Sequence, residues 1–243
     1  MRTPRIFVGD ADHPPRAGSE YPLPPAAARH VAQALRMRRG DALALFAGSG
    51  GEYAATIAHI DRHGVVVKVE QFDDIERESV QPLTLVQAMI AADMMDLVVR
   101  KAVELGASRI VPVQAARSQG IAPERAQRRI VHWRQIAIAA CEQCGRNRLP
   151  LIAPVAAFPD WLADVDDRQA PVVILDGQAS RSLAEVAAEA PPRTVVVGPE
   201  GGFTADEVQG ACAKSAIAAH LGPRVLRAET AALAALAIVG ASG

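Results

Sequence analysis

Two glycine-bearing loops near the carboxyl end of the chain are the residues best suited to bind a ligand. The first, Gly198-Pro-Glu-Gly-Gly202, follows an apolar run and precedes Thr204-Ala-Asp-Glu207, which is the pattern of a helix capping box. The second, Gly222-Pro-Arg224, also follows an apolar run and precedes an alanine-rich helical segment. Loops that join parallel strands to helices meet at the carboxyl edge of the sheet. We therefore expect both loops to form one ligand site built from backbone groups.

The first loop is not one of the common phosphate-binding sequences. It lacks the lysine that follows the last glycine of a Walker loop. It is neither the G-x-G-x-x-G of a dinucleotide site nor the glycine motif of ordinary Rossmann methyltransferases. From the residues alone, a tight turn with a close helix approach fits the loop as well as a ligand site does.

The elements that must position these loops follow a regular alternation from residue 83 onward. Apolar, strand-like runs occupy residues 83–90, 109–113, 171–175, 194–197 and 216–221. Helical stretches occupy residues 94–105, 123–144, 183–190 and 205–214. This alternation predicts an α/β fold with a parallel sheet and helices on both faces.

The first part of the chain has a different, β-rich pattern. Strand candidates lie at residues 5–8, 43–46, 53–60 and 65–69, a helix is predicted over 25–37, and Gly48-Ser-Gly-Gly51 is predicted to be a hairpin turn. The polar stretch 72–82 ends in proline and is typical of a linker. We therefore predict two domains, residues 1–72 and 73–243.

Composition narrows the class of protein. The 243 residues are 50% hydrophobic, enough for a substantial core, and the formal net charge is −1. No apolar run approaches the roughly 20 residues of a membrane span, and the first residues do not resemble a secretory signal, so we expect a cytoplasmic protein without a membrane partner. Three cysteines imply no disulfide framework. Residues 100–150 hold ten Lys or Arg against three Asp or Glu, a local basic patch that suits either RNA phosphates or a solvated helix face.

Several separate motifs, in order, resemble one known family. They are Arg2-Thr-Pro-Arg-Ile6, Leu35-Arg-Met37, Lys101-Ala-Val-Glu-Leu-Gly106, Ile138-Ala-Ala-Cys-Glu-Gln-Cys-Gly-Arg-Asn-Arg-Leu-Pro150, Gly198-Pro-Glu-Gly-Gly202 and Leu221-Gly-Pro-Arg-Val-Leu-Arg227 with Glu229-Thr230. Together they resemble the SPOUT (trefoil-knot) RNA methyltransferases of the RsmE type, which methylate N3 of a uridine in 16S ribosomal RNA. The resemblance covers both ends of the chain and most of what lies between.

The resemblance implies a fold, a cofactor and partners. It implies a PUA-like RNA-binding β-barrel over residues 1–72 and a SPOUT domain over 73–243 with a carboxyl-terminal trefoil knot. The implied cofactor is S-adenosylmethionine, and no metal is implied. The implied partners are 16S rRNA or the small ribosomal subunit and a second copy of the chain, because such enzymes are homodimers whose active site borrows residues across the interface.

The resemblance also implies which residues form the cofactor site. The expected cofactor-binding residues are Leu175, Asp176, Val197, Gly198, Glu200, Gly201, Gly202, Leu221, Gly222, Arg224, Val225, Leu226 and Thr230.

Methylation of uridine N3 sets the catalytic requirements. The imide proton must leave and the resulting anion must be stabilised, which calls for a base and a cation near the cofactor. The candidates are Arg227 for the cation and Glu229 or Glu200 for the base. A structural alternative remains for each of them. Glu229 would stabilise the first turn of a helix through the helix dipole, and Arg224 or Arg227 would equally hold a phosphate or carboxylate.

The expected RNA contacts are arginines from both parts of the chain. They are Arg5, Arg36, Arg38, Arg117, Arg146 and Arg148. Where the family usually has basic residues, this chain reads Ala91-Ala-Asp-Met-Met-Asp96, so a contact to RNA or cofactor is either missing here or supplied by Arg100 or Lys101.

Two further interpretations of the sequence stay open. Cys141 and Cys144 form a C-x-x-C that suggests zinc or redox chemistry, but the chain has no second such pair, and helical packing is the expected role. For function, the alternatives are a SPOUT methyltransferase acting on another RNA position, such as a tRNA ribose, and a non-catalytic RNA-binding assembly factor.

Overall fold

The computed structural model describes residues 3–9, 13–165 and 171–241, so Arg2 of the amino-terminal motif lies outside the described residues. The chain divides into two compact units. The first contains the residues up to Glu78 together with Cys141–Leu149, and the second contains Ser79–Ala140 and the residues from Pro150 onward. The predicted division at 72/73 lies a few residues earlier. The prediction also did not place Cys141–Leu149 in the first unit, because the sequence shows the start of this stretch as part of the helix over residues 123–144.

The first unit is built on a five-stranded sheet. Its strands are β1 (Arg5–Phe7), β2 (Glu20–Pro22), β3 (Ala42–Phe46), β4 (Glu52–Asp61) and β5 (Gly64–Asp73), in the order β1-β3-β4-β5-β2. Strand β1 runs parallel to β3, and the other neighbours are antiparallel. The predicted turn at residues 48–51 is confirmed, since it joins the antiparallel strands β3 and β4. The sequence pattern missed β2, which is only three residues long.

The predicted helix over 25–37 is only partly present. Helix α1 (Pro25–Arg29) continues as a π-helical turn, His30–Ala34, which ends at Leu35. Arg36 then adopts the left-handed conformation with φ of 53°. Val31 from the π-helical turn is fully buried against Leu45 and other core residues of the sheet.

The second unit confirms the predicted alternation of strands and helices. The strands are β6 (Leu83–Ala88), β7 (Ala107–Gln114), β8 (Leu151–Ile152), β9 (Ala156–Ala157), β10 (Val172–Leu175), β11 (Thr194–Val197) and β12 (Ile217–Ala219). The helices are α2 (Ala92–Glu104), α3 (Pro123–Cys144), α4 (Phe158–Ala163), α5 (Leu183–Glu189), α6 (Ala205–Ala213) and α7 (Ala228–Gly240). The sequence pattern missed β8, β9 and α4, which are too short to show a period. None of the helices in the described ranges is both long and apolar enough to cross a membrane.

The sheet of the second unit is parallel and covered on both faces. Its order is β12-β10-β11-β6-β7-β8, with β9 also paired to β7, and every pairing is parallel. One apolar cluster contains Leu85 and Val195 together with residues of α2, α5 and α7. The opposite cluster contains Val86 and Val196 together with residues of α4 and α6. Strands buried on both faces explain the continuous apolar run Thr194-Val-Val-Val197.

Candidate functional site

A cavity lies where three neighbouring strands of the second unit end. Strands β12, β10 and β11 are adjacent in the sheet, and the loops that follow them enclose a cavity of about 420 Å³. This is within the range of small-molecule sites in proteins. The structure therefore brings together the two glycine-bearing loops, as the sequence predicted.

Nearly all of the residues expected to bind a cofactor line this cavity. They are Leu175, Asp176, Val197, Gly198, Glu200, Gly201, Gly202, Leu221, Gly222, Arg224, Val225 and Leu226. Thr230 does not line it and lies exposed in the first turns of α7. Sequence reasoning missed the other lining residues, which are their neighbours in the same loops and on α7: Gly177, Gln178, Pro199, Ala219, His220, Pro223, Ala228 and Ala231.

The shape of the first loop depends on its glycines. The Gly202 amide donates to the Pro199 carbonyl at 2.9 Å, closing a turn in which Gly202 has φ of +68°. A side chain at Gly198 would come within 3.2 Å of the Phe203 ring. That ring cannot yield easily, because it packs 4.9 Å from the ring of Phe158 in the core. Glycine is therefore favoured at both positions, at Gly202 by the left-handed backbone and at Gly198 by the tight approach of Phe203.

The other two walls of the cavity are held by backbone hydrogen bonds. The Asp176 amide donates to Ala219 O at 3.0 Å, which joins the ends of β10 and β12. His220 Nδ1 accepts a hydrogen bond from the Gly222 amide at 2.9 Å, and Gly222 has φ of +101°. His220 thus supports the second loop. Its acceptor role places the imidazole proton on Nε2 in the neutral ring.

Of the three predicted catalytic residues, only Glu200 lines the cavity. Its Oε1 accepts a hydrogen bond from the Ala91 amide at 3.0 Å, just before α2. Arg227 is the exposed N-cap residue of α7, and its carbonyl accepts from the Ala231 amide. Glu229 lies in the first turn of α7, partly exposed. Arg227 and Glu229 therefore follow directly on the second loop without lining the cavity itself.

Two of the arginines expected to contact RNA are buried. The Arg5 guanidinium pairs with the Glu52 carboxylate, donates to Asn147 Oδ1 at 2.5 Å and to Arg146 O at 3.0 Å, and retains 5% side-chain exposure. Arg146 pairs with Glu78 and retains 6%. These guanidinium groups are engaged with partners in the first unit, which favours structural roles, and the RNA contacts of Arg5 and Arg146 stay predictions.

The electrostatics of Glu52 show the strength of this network. Burial alone would raise the pKa of the Glu52 carboxyl, but the hydrogen bond and charge of Arg5, with the charge of Arg77, outweigh burial and lower that pKa. Arg77 Nη1 lies 3.4 Å from the Glu52 carboxylate and also donates to Gly145 O at 2.8 Å.

The remaining predicted RNA contacts are exposed. Arg36 and Arg38 follow the π-helical turn, with exposed side chains. Arg148 is half exposed and pairs with Glu76 at 2.5 Å. Arg117 lies in the loop after β7 and donates from Nη1 to Gly201 O at 2.9 Å, so it contacts the first glycine-rich loop. The structure therefore places Arg117 beside the cavity.

The structure also shows the surroundings of the C-x-x-C cysteines, of possible metal ligands and of Arg100 and Lys101. Cys141 is buried, its pKa is raised to about 12 mainly by burial, and it lies close to Arg148 O at 3.6 Å, which fits the packing role. Within the described ranges no group of three or more His, Cys, Asp and Glu side chains could hold a metal ion. Lys101 pairs with Glu104, whereas Arg100 is exposed.

Most of the chain matches two known protein families. A family model described as an RNA methyltransferase domain matches residues 76–240, and one described as an RNA methyltransferase PUA domain matches residues 23–70. Ribosomal RNA small subunit methyltransferase E of Mycobacterium bovis is 33% identical over 87% of this chain and 82% of its own length. The protein of the same name from Bacillus subtilis is 28% identical over 86% and 85%.

Solved structures match this chain over nearly its full length. A Legionella pneumophila methyltransferase in complex with bound S-adenosylmethionine superposes with a TM-score of 0.93 at 32% identity, covering 100% of this chain and 99% of that one. A Neisseria gonorrhoeae ribosomal RNA small subunit methyltransferase E bound to S-adenosylmethionine gives 0.88 at 32% identity, covering 97% and 96%.

The parallel sheet, the cavity at its carboxyl edge and the amino-terminal PUA domain define an RNA methyltransferase. Within that class, the chain belongs to the ribosomal RNA small subunit methyltransferase E family.

Proposed function

We propose that this chain transfers the methyl group of S-adenosylmethionine to N3 of a specific uridine in 16S ribosomal RNA. The observation that carries the proposal is the cavity formed by the loops after β10, β11 and β12. Relatives that share the full architecture are named ribosomal RNA small subunit methyltransferase E, and the Neisseria gonorrhoeae protein was solved with S-adenosylmethionine.

The residues around the cavity fit this cofactor. Leu175, Val197 and Leu226 supply apolar surface for an adenine ring, and the glycines expose backbone groups to its polar edge. A Cβ at Gly202 would meet no atom within 4 Å, so that backbone is open to a ligand. The Glu200 carboxylate at the cavity wall favours a positive ligand. When bound, the cofactor supplies an electrophilic methyl group on its sulfonium.

The chain must then manage the proton of uridine N3. We assign Arg227 to stabilise the negative charge that develops on the uracil ring when the imide proton leaves. Glu200, at the cavity wall, and Glu229, in the first turn of α7, are the two carboxylates placed to accept that proton. Positioning matters as much as charge, because the nucleophile must approach the methyl carbon in line with the breaking bond.

RNA binding is assigned to exposed arginines of the first unit. Arg36 and Arg38 remain exposed, which suits contacts to phosphates, whereas the half-exposed Arg148 shares its charge with Glu76. Replacing Arg36 or Arg38 with alanine should reduce the slope of log affinity against log salt by about 0.7 to 0.9 for each phosphate contact removed. A mutant slope equal to that of the wild type would rule that arginine out as a phosphate contact.

We further propose that the active enzyme is a cytoplasmic homodimer with a trefoil knot. Val225, in the second loop, is fully exposed, and a second copy would cover this apolar residue. The His220 backbone bonds to both Arg181 and Leu183, so the chain runs beside the 176–183 segment there, as threading would require. Light scattering tests the dimer, because a monomeric mass for active enzyme would exclude it. An experimental map traced through residues 176–228 tests the threading.

Methylation of 16S rRNA by the purified protein is the central test. The expected product is N3-methyluridine at one position, identified by mass spectrometry of digested RNA. Arg227→Ala should abolish this product while leaving S-adenosylmethionine binding, measured by calorimetry, within several fold of wild type. Unchanged turnover would remove Arg227 from the mechanism.

Two other results would favour the alternatives. Methylation at a different position or on tRNA would retain the enzyme class but change the substrate. No cofactor binding at millimolar concentration would favour a non-catalytic RNA-binding assembly factor.

A further inference from the structure

The outer side of the first glycine-rich loop is held by residues from two other loops. Gln87, at the end of β6, is completely buried, and its Nε2 lies 3.5 Å from Gly198 O. The Ala91 amide donates to the Glu200 carboxylate at 3.0 Å. Arg117, after β7, donates to Gly201 O at 2.9 Å and reaches Phe203 O at 3.5 Å. Residues outside the loop thus contact it at Gly198, Glu200, Gly201 and Phe203.

Arg117 and Glu207 form a reciprocal clasp between the loop and the turn at residues 115–118. Glu207, in the first turn of α6, accepts from the Ala116 amide at 2.8 Å with Oε1 and from the Thr204 amide at 2.8 Å with Oε2. Arg117 reaches in the opposite direction, from the turn to the loop carbonyls. The turn is itself closed, because the Ala115 amide donates to Ser118 Oγ at 3.1 Å.

The clasp fixes the peptide planes of the loop at both ends. In the peptide between residues 201 and 202, the carbonyl accepts from Arg117 and the amide donates to Pro199 O. In the peptide between residues 203 and 204, the carbonyl lies near Arg117 and the amide donates to Glu207. A peptide plane held at both ends resists rotation, so these bonds restrain the orientation of the loop backbone before a ligand arrives.

We propose that Arg117 is a positioning residue for the cofactor, acting with Glu207 to hold the glycine-rich loop in its binding shape. This inference rests on the proposed function of the cavity and assigns Arg117 to the loop instead of to RNA. Pre-organisation of a loop raises affinity because less conformational freedom is lost on binding. The stem of Arg117 adds to the restraint, since a Cβ at Gly201 would lie 3.4 Å from Arg117 Cβ.

Calorimetry with S-adenosylmethionine on three variants tests the proposal. Arg117→Ala should raise the Kd of the cofactor about tenfold, the factor expected from losing a charged hydrogen bond. Arg117→Lys keeps one donor and should raise the Kd only about threefold. The matched control is Arg193→Ala, because Arg193 is an exposed arginine just before β11, at the end of that strand opposite the loop. Its Kd should equal that of the wild type.

Kinetics and RNA binding separate positioning from other roles. For Arg117→Ala, the KM for the cofactor should rise about tenfold, while kcat at saturating cofactor and the KM for RNA should stay at wild-type values. The salt dependence of RNA binding should also be unchanged. A slope smaller by about 0.7 to 0.9, with a normal cofactor Kd, would instead make Arg117 a phosphate contact and overturn the proposal.

Cofactor binding by the wild type and by the variants separates failure of the positioning role from failure of the proposed function. If the wild-type protein binds no cofactor, the proposed function fails. If the wild type binds and folded Arg117→Ala binds equally well, only the positioning role fails. Should Arg117→Ala not fold, Arg117→Lys and Glu207→Gln carry the test, and both should weaken cofactor binding with unchanged RNA binding. Wild-type affinity in both would refute the clasp.

Discussion

Replacing Arg5 with methionine should destabilise the first unit without weakening contacts to RNA. The guanidinium of Arg5 is buried and holds the Glu52 carboxylate, Asn147 Oδ1 and Arg146 O. It also lies over the Phe46 ring, 4.8 Å from its centroid. Methionine retains an apolar stem but none of these hydrogen bonds, so three acceptors in a water-poor site lose the Arg5 donor.

The magnitude follows from the burial of the pair. Removing one partner of a buried ion pair costs about 3–5 kcal/mol, because the other charge is left uncompensated. Arg77, at 3.4 Å from Glu52, still offsets part of that charge, so we expect the lower end, about 3 kcal/mol. For a unit of under a hundred residues each kcal/mol lowers Tm by roughly 4–8 °C. The transition of the first unit should therefore fall by more than about 10 °C.

Thermal and urea unfolding followed by circular dichroism measure this effect. The double variant Arg5→Met with Glu52→Leu should be more stable than Arg5→Met alone, since it no longer buries an unpaired carboxylate. RNA affinity at a temperature where the variant is folded should show a wild-type salt slope. Wild-type unfolding combined with a reduced salt slope would refute this reasoning and restore Arg5 as an RNA contact.

Three further changes have defined outcomes. Burial raises the pKa of the Glu142 carboxyl, so the folded protein favours its protonated form. Folding stability is therefore lost as the pH rises from the pKa of the unfolded chain through the raised pKa of the folded one. Glu142→Gln should raise the Tm measured by calorimetry at pH 7 but not near pH 3. Iodoacetamide at pH 8 should label exposed Cys212 at least about tenfold faster than buried Cys141, as followed by mass spectrometry, and equal rates would mean that the site of Cys141 opens readily. Thr204→Ala removes the cap that accepts from the Glu207 amide and should cost about 1 kcal/mol in urea unfolding, so an unchanged midpoint would count against this cap.

Much of the second unit could be predicted from local sequence signals. Helix α3 was predicted with both ends correct, because Pro123 begins it and Gly145-Arg-Asn follows it. The capping box at Thr204 and Glu207 was also predicted and is present. These features depend on residues three or four positions apart, which a sequence displays directly.

The arrangement of the cavity was predicted through a different kind of signal. Glycine loops after apolar strands indicate where a parallel sheet ends, and the order of strands then places the loops together. The sequence did not reveal that Arg117 and Ala91 would reach the first loop from the ends of other strands. These contacts join residues about 84 and 109 positions apart, and no local pattern encodes them.

A local count of basic residues does not show which arginines contact RNA. The patch at residues 100–150 suggested RNA contact for Arg146 and Arg148, but Glu78 and Glu76 pair with them from the stretch predicted to be a linker. The two partners of each pair are 68 and 72 positions apart, so the sequence around each arginine hides its counter-charge.

An arginine with a buried acidic partner contributes little attraction to a polyanion, since its field is already compensated. The RNA interface should therefore be sought where such pairing is absent. Within the described part of the chain, Arg36 and Arg38 have exposed side chains and no side-chain ion pair. If Arg36 and Arg38 carry the phosphate contacts, their double replacement should reduce the salt slope about twice as much as either single one.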